Sequence, residues 1–277
     1  MKISVVIPTY NRKETIKRAM DSVLSQSYQN FELIIVDDGS TDETQEIINK
    51  FLPHEKIKVI SIDNSGVSKA RNIGIQNADS KWIAFLDSDD EWHTDKLTMQ
   101  MKVIEDDPDA VLIHTNEVWI RNGKHLKQKG IHKKYGGFIF DKCIPLCNIS
   151  PSTSLIKKSV LEEVGMFDEK FVVCEDYDLW LKISSKYKVH FIEDSLVNKY
   201  GGHDDQLSTM YKAMDYYRVK ALDNILDIRE LSHENVQLVR EMIISKSEIL
   251  INGYRKHGNK EDLKEIEEIR SKHLVFK

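Results

Sequence analysis

Strand-like apolar runs alternating with helix-like segments predict an α/β fold: a mostly parallel sheet flanked by helices, followed by a C-terminal helical appendage. Three observations carry this. The alternation is regular over the first 86 residues. Runs such as Ile3-Ser4-Val5-Val6-Ile7 and Leu33-Ile34-Ile35-Val36 are too apolar for a sheet with one wet face. From about Gln206 the apolar spacing is helical and heptad-like, with no glycine between Gly202 and Gly253.

Residues 3–7 form the first strand, closed by Pro8, and Asn11 caps a helix reaching about Ser25. Residues 33–36 form the second strand, ending at Asp37-Asp38-Gly39-Ser40. Ser40 or Thr41 then caps a helix with Ile47, Ile48 and Phe51 on one side. A third strand at 57–62, a helix at 67–76 and a fourth strand at 82–86 follow. Beyond Pro108 the pattern loosens. Residues 110–114 read as a strand, and the Lys-, Gly- and His-rich stretch 121–137 reads as a lid, an acceptor loop or a solvated loop. Residues 152–156 read as a strand and 157–164 as a helix stopped by Gly165. A helix at 176–186 sets Leu179, Trp180 and Ile183 at core spacing, and 189–192 is a short strand. Helices at 206–228, 233–254 and 259–272 break near Ser232 and Gly258. These divide the chain into a sheet domain, 1–205, and an appendage, 206–277. The appendage packs on the sheet domain or forms a homodimer with a second copy.

Bulk properties exclude several classes. A chain that is 40% hydrophobic and 31% charged is ordinary for a globular protein. A net charge of −5 without a Lys/Arg block argues against nucleic acid as a partner. Cys143, Cys147 and Cys174 are too few for a disulfide framework, and the absence of a signal peptide favours a cytoplasmic setting. Cys143 and Cys147 lack a second Cys/His pair for zinc and read as buried thiols. No apolar run is long enough to span a membrane, which leaves peripheral contact with its inner face open.

In a parallel sheet ligands bind beyond the carboxyl ends of the strands. The polar clusters Thr9-Tyr10-Asn11, Asp37-Asp38, Asp63-Asn64 and Asp87-Ser88-Asp89-Asp90 all fall there. Packing Asp87, Asp89 and Asp90 together is unfavourable unless a cation joins them. A hard divalent ion, Mg²⁺ or Mn²⁺, shared with a phosphate is the simplest candidate.

Four motifs in order resemble the family 2 glycosyltransferases over about residues 1–205. They are Pro8-Thr9-Tyr10-Asn11, Val36-Asp37-Asp38-Gly39-Ser40-Thr41-Asp42, Gly66-Val67-Ser68-Lys69-Ala70-Arg71-Asn72-Ile73-Gly74 and Leu86-Asp87-Ser88-Asp89-Asp90. The resemblance implies a Rossmann-like GT-A fold and an inverting, metal-dependent transfer from a nucleotide-diphosphate sugar. It implies that Pro8, Thr9, Tyr10 and Asp38 hold the base and ribose. A carboxylate at Asp38 suits the imide N–H of a uracil, hence a UDP-sugar. Asp63 has a weaker claim on the base. Arg71 matches a diphosphate-contacting arginine. Of the Asp-x-Asp element, Ser88 included, Asp89 would ligate the metal, and Asp87 would contact the ribose or the metal shell. Asp90 would position water or cap the next helix.

Glu175-Asp176-Tyr177-Asp178-Leu179-Trp180 resembles the family's Glu-Asp element, which implies Asp176 as general base and Glu175 as an orienting group. His203, in Gly201-Gly202-His203-Asp204, matches a late histidine that completes the metal shell or approaches the diphosphate. A Gln-x-x-Arg-Trp element of polymerising relatives is absent, which favours addition of one sugar to a saccharide or lipid-linked acceptor in surface polysaccharide assembly. Two other readings stay open: a sugar-1-phosphate nucleotidyltransferase, and a sugar-nucleotide-binding protein without turnover.

Overall fold

The computed structural model describes residues 1–52, 54–202, 211, 213–228 and 230–274. The strands are β1 (Ile3–Thr9), β2 (Phe31–Asp37), β3 (Ile57–Ser61), β4 (Trp82–Phe85), β5 (Glu91–Trp92), β6 (Leu112–Arg121), β7 (Lys124–Leu126), β8 (Leu155–Lys157) and β9 (His190–Gly201). The helices are α1 (Ile16–Leu24), α2 (Thr44–Asn49), α3 (Val67–Gln76), α4 (Lys96–Asp106), α5 (Phe140–Cys143), α6 (Lys158–Val164) and α7 (Glu175–Ser184), then α8 (Met214–Ile228), α9 (His233–His257) and α10 (Lys260–Leu274).

One sheet runs β3-β2-β1-β4-β8-β6-β9-β5, with β7 hairpinned onto β6. The first four strands are parallel, as expected of their apolar runs. The second half is mixed: β8 runs antiparallel to both β4 and β6, β6 is parallel to β9, and β5 runs against β9. Two reversals through β8 leave β6 pointing the same way as β4. The carboxyl ends of β1, β2, β4, β6 and β9 therefore share one rim.

Alternate residues of each central strand enter different cores. Val6, Ile34, Val36 and Phe85 lie in one, and Ile3, Val5, Ile7, Leu33, Ile35 and Ala84 in the other. Both faces of the sheet are covered, which is why these strands carry no polar stripe. The first core continues without a break into Val219, Leu222, Ile243 and Ile269, so α8–α10 pack on the same side of the sheet as α3 and α7.

Several local expectations are corrected. Pro8 does not close β1. It fits inside the strand because pairing with β4 ends at Val6, so its missing N–H breaks no ladder there. Asn11 is not a helix cap; it takes a left-handed φ of 50° and its Oδ1 accepts from Thr41 N–H at 2.8 Å. Neither Ser40 nor Thr41 caps α2, whose preceding residue is Glu43; Ser40 Oγ accepts from Asn11 N–H instead. The strand expected at 152–156 starts later, after a 3₁₀ turn at Pro151–Thr153. β6 and β9 extend well beyond 110–114 and 189–192, because they pair with each other along their length.

Under the rim, Lys96 is wholly buried. Its Nζ donates to Gln100 Oε1 at 2.9 Å and stands 3.9 Å over the Trp92 ring. Burial lowers its pKa well below 10.5. The unfolded chain holds a proton that the folded chain sheds, so stability rises with pH towards that ordinary value. The margin in urea midpoint by which wild type exceeds Lys96→Met should therefore grow in favour of wild type between about pH 7 and about pH 10.

Candidate active site

The site grows from α3. Ser68, Arg71 and Asn72 occupy one helical face, spaced three and four residues apart. Ser68 Oγ donates to Phe171 O at 3.2 Å. Asn72 Nδ2 donates to Phe167 O at 2.9 Å, and Asn72 Oδ1 accepts from Phe167 N–H at 3.1 Å. These bonds dock the 167–171 loop on α3 and bring the start of α7 to Arg71. Arg71 Nη1 donates to Glu175 Oε1, and Nη2 donates to Asp87 Oδ1 at 2.7 Å. Arg71 is 3% exposed and packs 5.1 Å from the centre of the Phe167 ring. Burial lowers its pKa, but Asp87 and Glu175 outweigh that and raise it. Burial lifts Glu175 to about 7, with Arg71 pulling down and the neighbouring Asp176 charge pushing up.

Asp176 follows on the exposed side of the same helix start and is half-buried. Its Oδ1 accepts from the Tyr177 N–H at 2.7 Å and its Oδ2 from the Cys147 thiol at 3.2 Å. Three acids in the first turn of α7 sit favourably at the positive end of the helix dipole. The turn is entered through Cys174 at φ 62°.

The Asp87–Asp90 turn is built from the other side by Ser152. Ser152 Oγ accepts from Asp87 N–H at 3.1 Å and donates to Asp90 Oδ2 at 2.6 Å. Asp90 Oδ1 accepts from Tyr200 N–H at 3.0 Å. Asp90 caps no helix, the next one being preceded by Asp95; it is 1% exposed and ties the turn to β9. Burial and the charge of Asp89 raise its pKa well above the ordinary value. Asp89 stays half-buried, its pKa raised by burial and by Asp87, with Arg12 and Lys199 opposing. Ser88 is buried within the turn.

At the neighbouring tips, Asp38 is 4% exposed, and both its oxygens are engaged: Oδ1 accepts from Ser65 N–H at 2.7 Å and Oδ2 from Gly66 N–H at 2.9 Å. Burial raises its pKa, with a contribution from Asp37. Asp38 thus staples the loop that leads into α3. Gly39 follows at φ 77°, where a Cβ would come within 2.9 Å of Asn64 N. Thr9 is buried with an unpartnered Oγ1, Tyr10 is 43% exposed, and Asp63 is exposed.

The fold therefore gathers Arg71, Asp87, Asp89, Glu175 and Asp176 into one cluster, with Thr9, Asp38 and Asp63 on the adjoining tips. Two expectations meet a different geometry. The Arg71 fork is taken by two carboxylates rather than offered to a diphosphate, because burial forces the cation to pair. The Asp38 carboxylate has two backbone partners before any base arrives. His203 lies outside the described residues.

Lys199 on β9 escaped the sequence reading. Burial lowers its pKa, but Glu117, Asp90, Asp87 and Asp176 together raise it, making it a fixed cation amid the acids. Its Nζ donates to Ser150 Oγ at 3.3 Å, the oxygen that Lys134 Nζ also reaches at 3.4 Å. Lys134 pairs with buried Glu117 at 3.3 Å. Burial pushes Glu117 up, yet Lys134 and Lys199 hold it down at about 2. Nothing in Val197-Asn198-Lys199-Tyr200 marks this lysine; only the pairing of β9 with β6 points it inward. The Cys147–Asp176 contact is equally non-local.

Among the described residues no group of three or more His, Cys, Asp or Glu closes on a point suited to a metal ion. Asp87 and Asp89 supply two hard carboxylates, a donor set that fits a Mg²⁺-type ion sharing its remaining positions with diphosphate oxygens.

A Glycosyl transferase family 2 model matches residues 4–165. A UDP-Glc:alpha-D-GlcNAc-diphosphoundecaprenol beta-1,3-glucosyltransferase of Escherichia coli is 35% identical over 187 residues, covering 66% of this chain and 70% of that protein. An uncharacterized glycosyltransferase of Rickettsia felis is 36% identical over 209 residues, covering 75% of this chain but 32% of its own length, so the chain spans about a third of that relative. The crystal structure of S. aureus TarS 1-349 in complex with UDP-GlcNAc superimposes with a TM-score of 0.71 at 21% identity, covering 92% of this chain and 73% of that one. At that identity the likeness is one of fold, and the fold is the GT-A arrangement.

Removing the central cation tests the cluster. Arg71→Ala leaves buried Glu175 and half-buried Asp87 without their partner and is expected to cost about 3–5 kcal/mol in urea unfolding. Arg71→Lys, which keeps the charge but not the fork, should lose less.

Proposed function

The chain belongs to Glycosyl transferase family 2, and on that premise we propose that it moves one sugar from a UDP-sugar to a saccharide or lipid-linked hydroxyl with inversion. The observation that carries this reading is the convergence on Arg71, which joins the Asp-x-Asp turn to the Glu-Asp helix start. An inverting transfer needs a base on one side of the anomeric carbon and a held diphosphate on the other. Asp176 is the base: it is the half-buried acid of its pair, and its two internal bonds fix the carboxylate while each oxygen keeps a free lone pair. It accepts the proton of the acceptor hydroxyl as the new bond forms. Glu175, locked to Arg71, orients the helix start rather than taking that proton.

Asp89 and Asp87 would hold Mn²⁺ or Mg²⁺ together with the diphosphate. Such an ion, when bound, would supply positive charge against the departing UDP. Thr9, Tyr10, Asp38 and Asp63 border the place for the nucleoside. Two oxygens of Asp38 each retain a lone pair for an imide N–H. Lys199, held protonated by the acids around it, would add to the positive charge facing the diphosphate.

A uridine donor fits the UDP-Glc named for the E. coli relative and the UDP-GlcNAc held by the S. aureus neighbour. The E. coli relative's diphosphoundecaprenol-linked acceptor supports a lipid-linked acceptor in surface polysaccharide assembly. A nucleotidyltransferase would open a Gly-rich phosphate loop after its first strand. Here β1 runs on through Pro8 and Thr9 into Tyr10 and Asn11.

A screen of sugar nucleotides, read as released UDP, should find a donor whose turnover needs Mn²⁺ or Mg²⁺ and stops with EDTA. Asp176→Asn should lower transfer by about 10²–10⁴-fold. The same variant should keep the thermal shift given by UDP with the ion. Asp89→Ala should lose that shift. Undiminished transfer by Asp176→Asn moves the base elsewhere, and a thermal shift without turnover of any donor favours a binding protein.

A further inference from the structure

Between Glu117 and Asp141 the chain contains no acidic residue but six basic ones: Arg121, Lys124, Lys127, Lys129, Lys133 and Lys134. This lies in a protein whose net charge is −5. Lys134 is buried against Glu117, but the other five are exposed, and none makes an ion pair among the described residues. The same stretch exposes Leu126 (43%) and Ile131 (65%). A basic surface without ion pairs among the described residues, carrying protruding aliphatic side chains, fits a partner that is negatively charged and apolar beneath. An anionic phospholipid surface has that layering.

The stretch is held in place. Strand β7 pairs with β6 through Trp119↔Leu126, Ile120↔His125 and Arg121↔Lys124. The 3₁₀ turn Gly130–His132 lies against the same strand, with the His132 ring 4.8 Å from that of Trp119. Gln128 Nε2 donates to Glu117 O at 3.0 Å, and Asn148 Nδ2 donates to Lys133 O at 3.1 Å. The hairpin also has a definite position. In the β6–β9 register Trp119, Ile120 and Arg121 face Lys199, Tyr200 and Gly201, and Tyr200 N–H is bonded to Asp90. The basic hairpin thus leaves the sheet on the rim that carries the Asp-x-Asp turn.

We infer that the hairpin and turn spanning residues 121–133 are a docking surface for an anionic lipid bilayer, which seats the active-site rim against the membrane. The cations meet the phospholipid headgroups, and Leu126 and Ile131 enter the region just below them. Each cation near such a surface contributes about fivefold to partitioning, so several together with two aliphatic side chains give reversible rather than permanent attachment. The attachment is sensitive to salt, because the Debye length falls from about 10 Å at 0.1 M to about 3 Å at 1 M.

The test is sedimentation of the whole chain with vesicles, without donor or acceptor, so that it stands apart from the transferase reading. Wild type should sediment with phosphatidylcholine vesicles containing phosphatidylglycerol, not with phosphatidylcholine alone, and about 1 M salt should release it. Lys124→Glu with Lys127→Glu and Lys129→Glu should weaken binding by more than about tenfold. Leu126→Ser with Ile131→Ser should weaken it by a smaller factor at unchanged salt dependence. Both sets lie on exposed side chains, and a circular-dichroism melt verifies that they fold. Equal sedimentation with neutral vesicles, binding untouched by the charge reversals, or retention on a nucleic acid in place of vesicles each overturns the proposal.

Discussion

The buried ion triad of Arg71 with Asp87 and Glu175 is the interaction on which the site depends. Three parts of the chain far apart in sequence meet there: α3, the end of β4 and the start of α7. A guanidinium at 3% exposure cannot remain unpaired, and neither can a carboxylate at 6%. The pairing therefore decides how α7 is placed, and α7 places Asp176. Ser68 and Asn72 prepare it by docking the 167–171 loop, so one helical face does both jobs.

The remaining acids are managed by the same rule. Asp90 is buried and satisfied by Ser152 and Tyr200, and Asp38 is buried and satisfied by Ser65 and Gly66. Asp89 and Asp176 are left half-buried at the rim. Lys199 stands among these carboxylates and keeps their mutual repulsion tolerable without an added ion. A cluster compensated in this way is preorganised, because the protein rather than the ligand bears the cost of assembling like charges.

The appended helices bear on this through packing. Val219, Leu222, Ile243 and Ile269 belong to the core that includes Tyr177, Trp180 and Phe85, so the far side of α7 is braced by them. The site faces the strand ends, and the brace lies behind it.

Apolar runs, their alternation and the positions of polar tips made the parallel half of the sheet legible, since a strand buried on both faces has no other way to be written. The Val67–Gln76 and Glu175–Ser184 helices, the stop at Gly165 and the breaks at Ser232 and Gly258 were readable for the same local reasons of spacing and turn chemistry. The motif acids could also be named, because residue type and order are properties of the chain. Which acids face solvent and which are consumed internally was not readable. Asp87, Asp89 and Asp90 look alike in sequence, and only contact with Ser152, Tyr200 and Arg71 separates them. Lys199, Glu117 and Cys147 reach the site through strand pairing and helix docking across tens of residues. Burial turns an ordinary side chain into a charge partner, and burial is set by the whole fold rather than by any neighbouring residue.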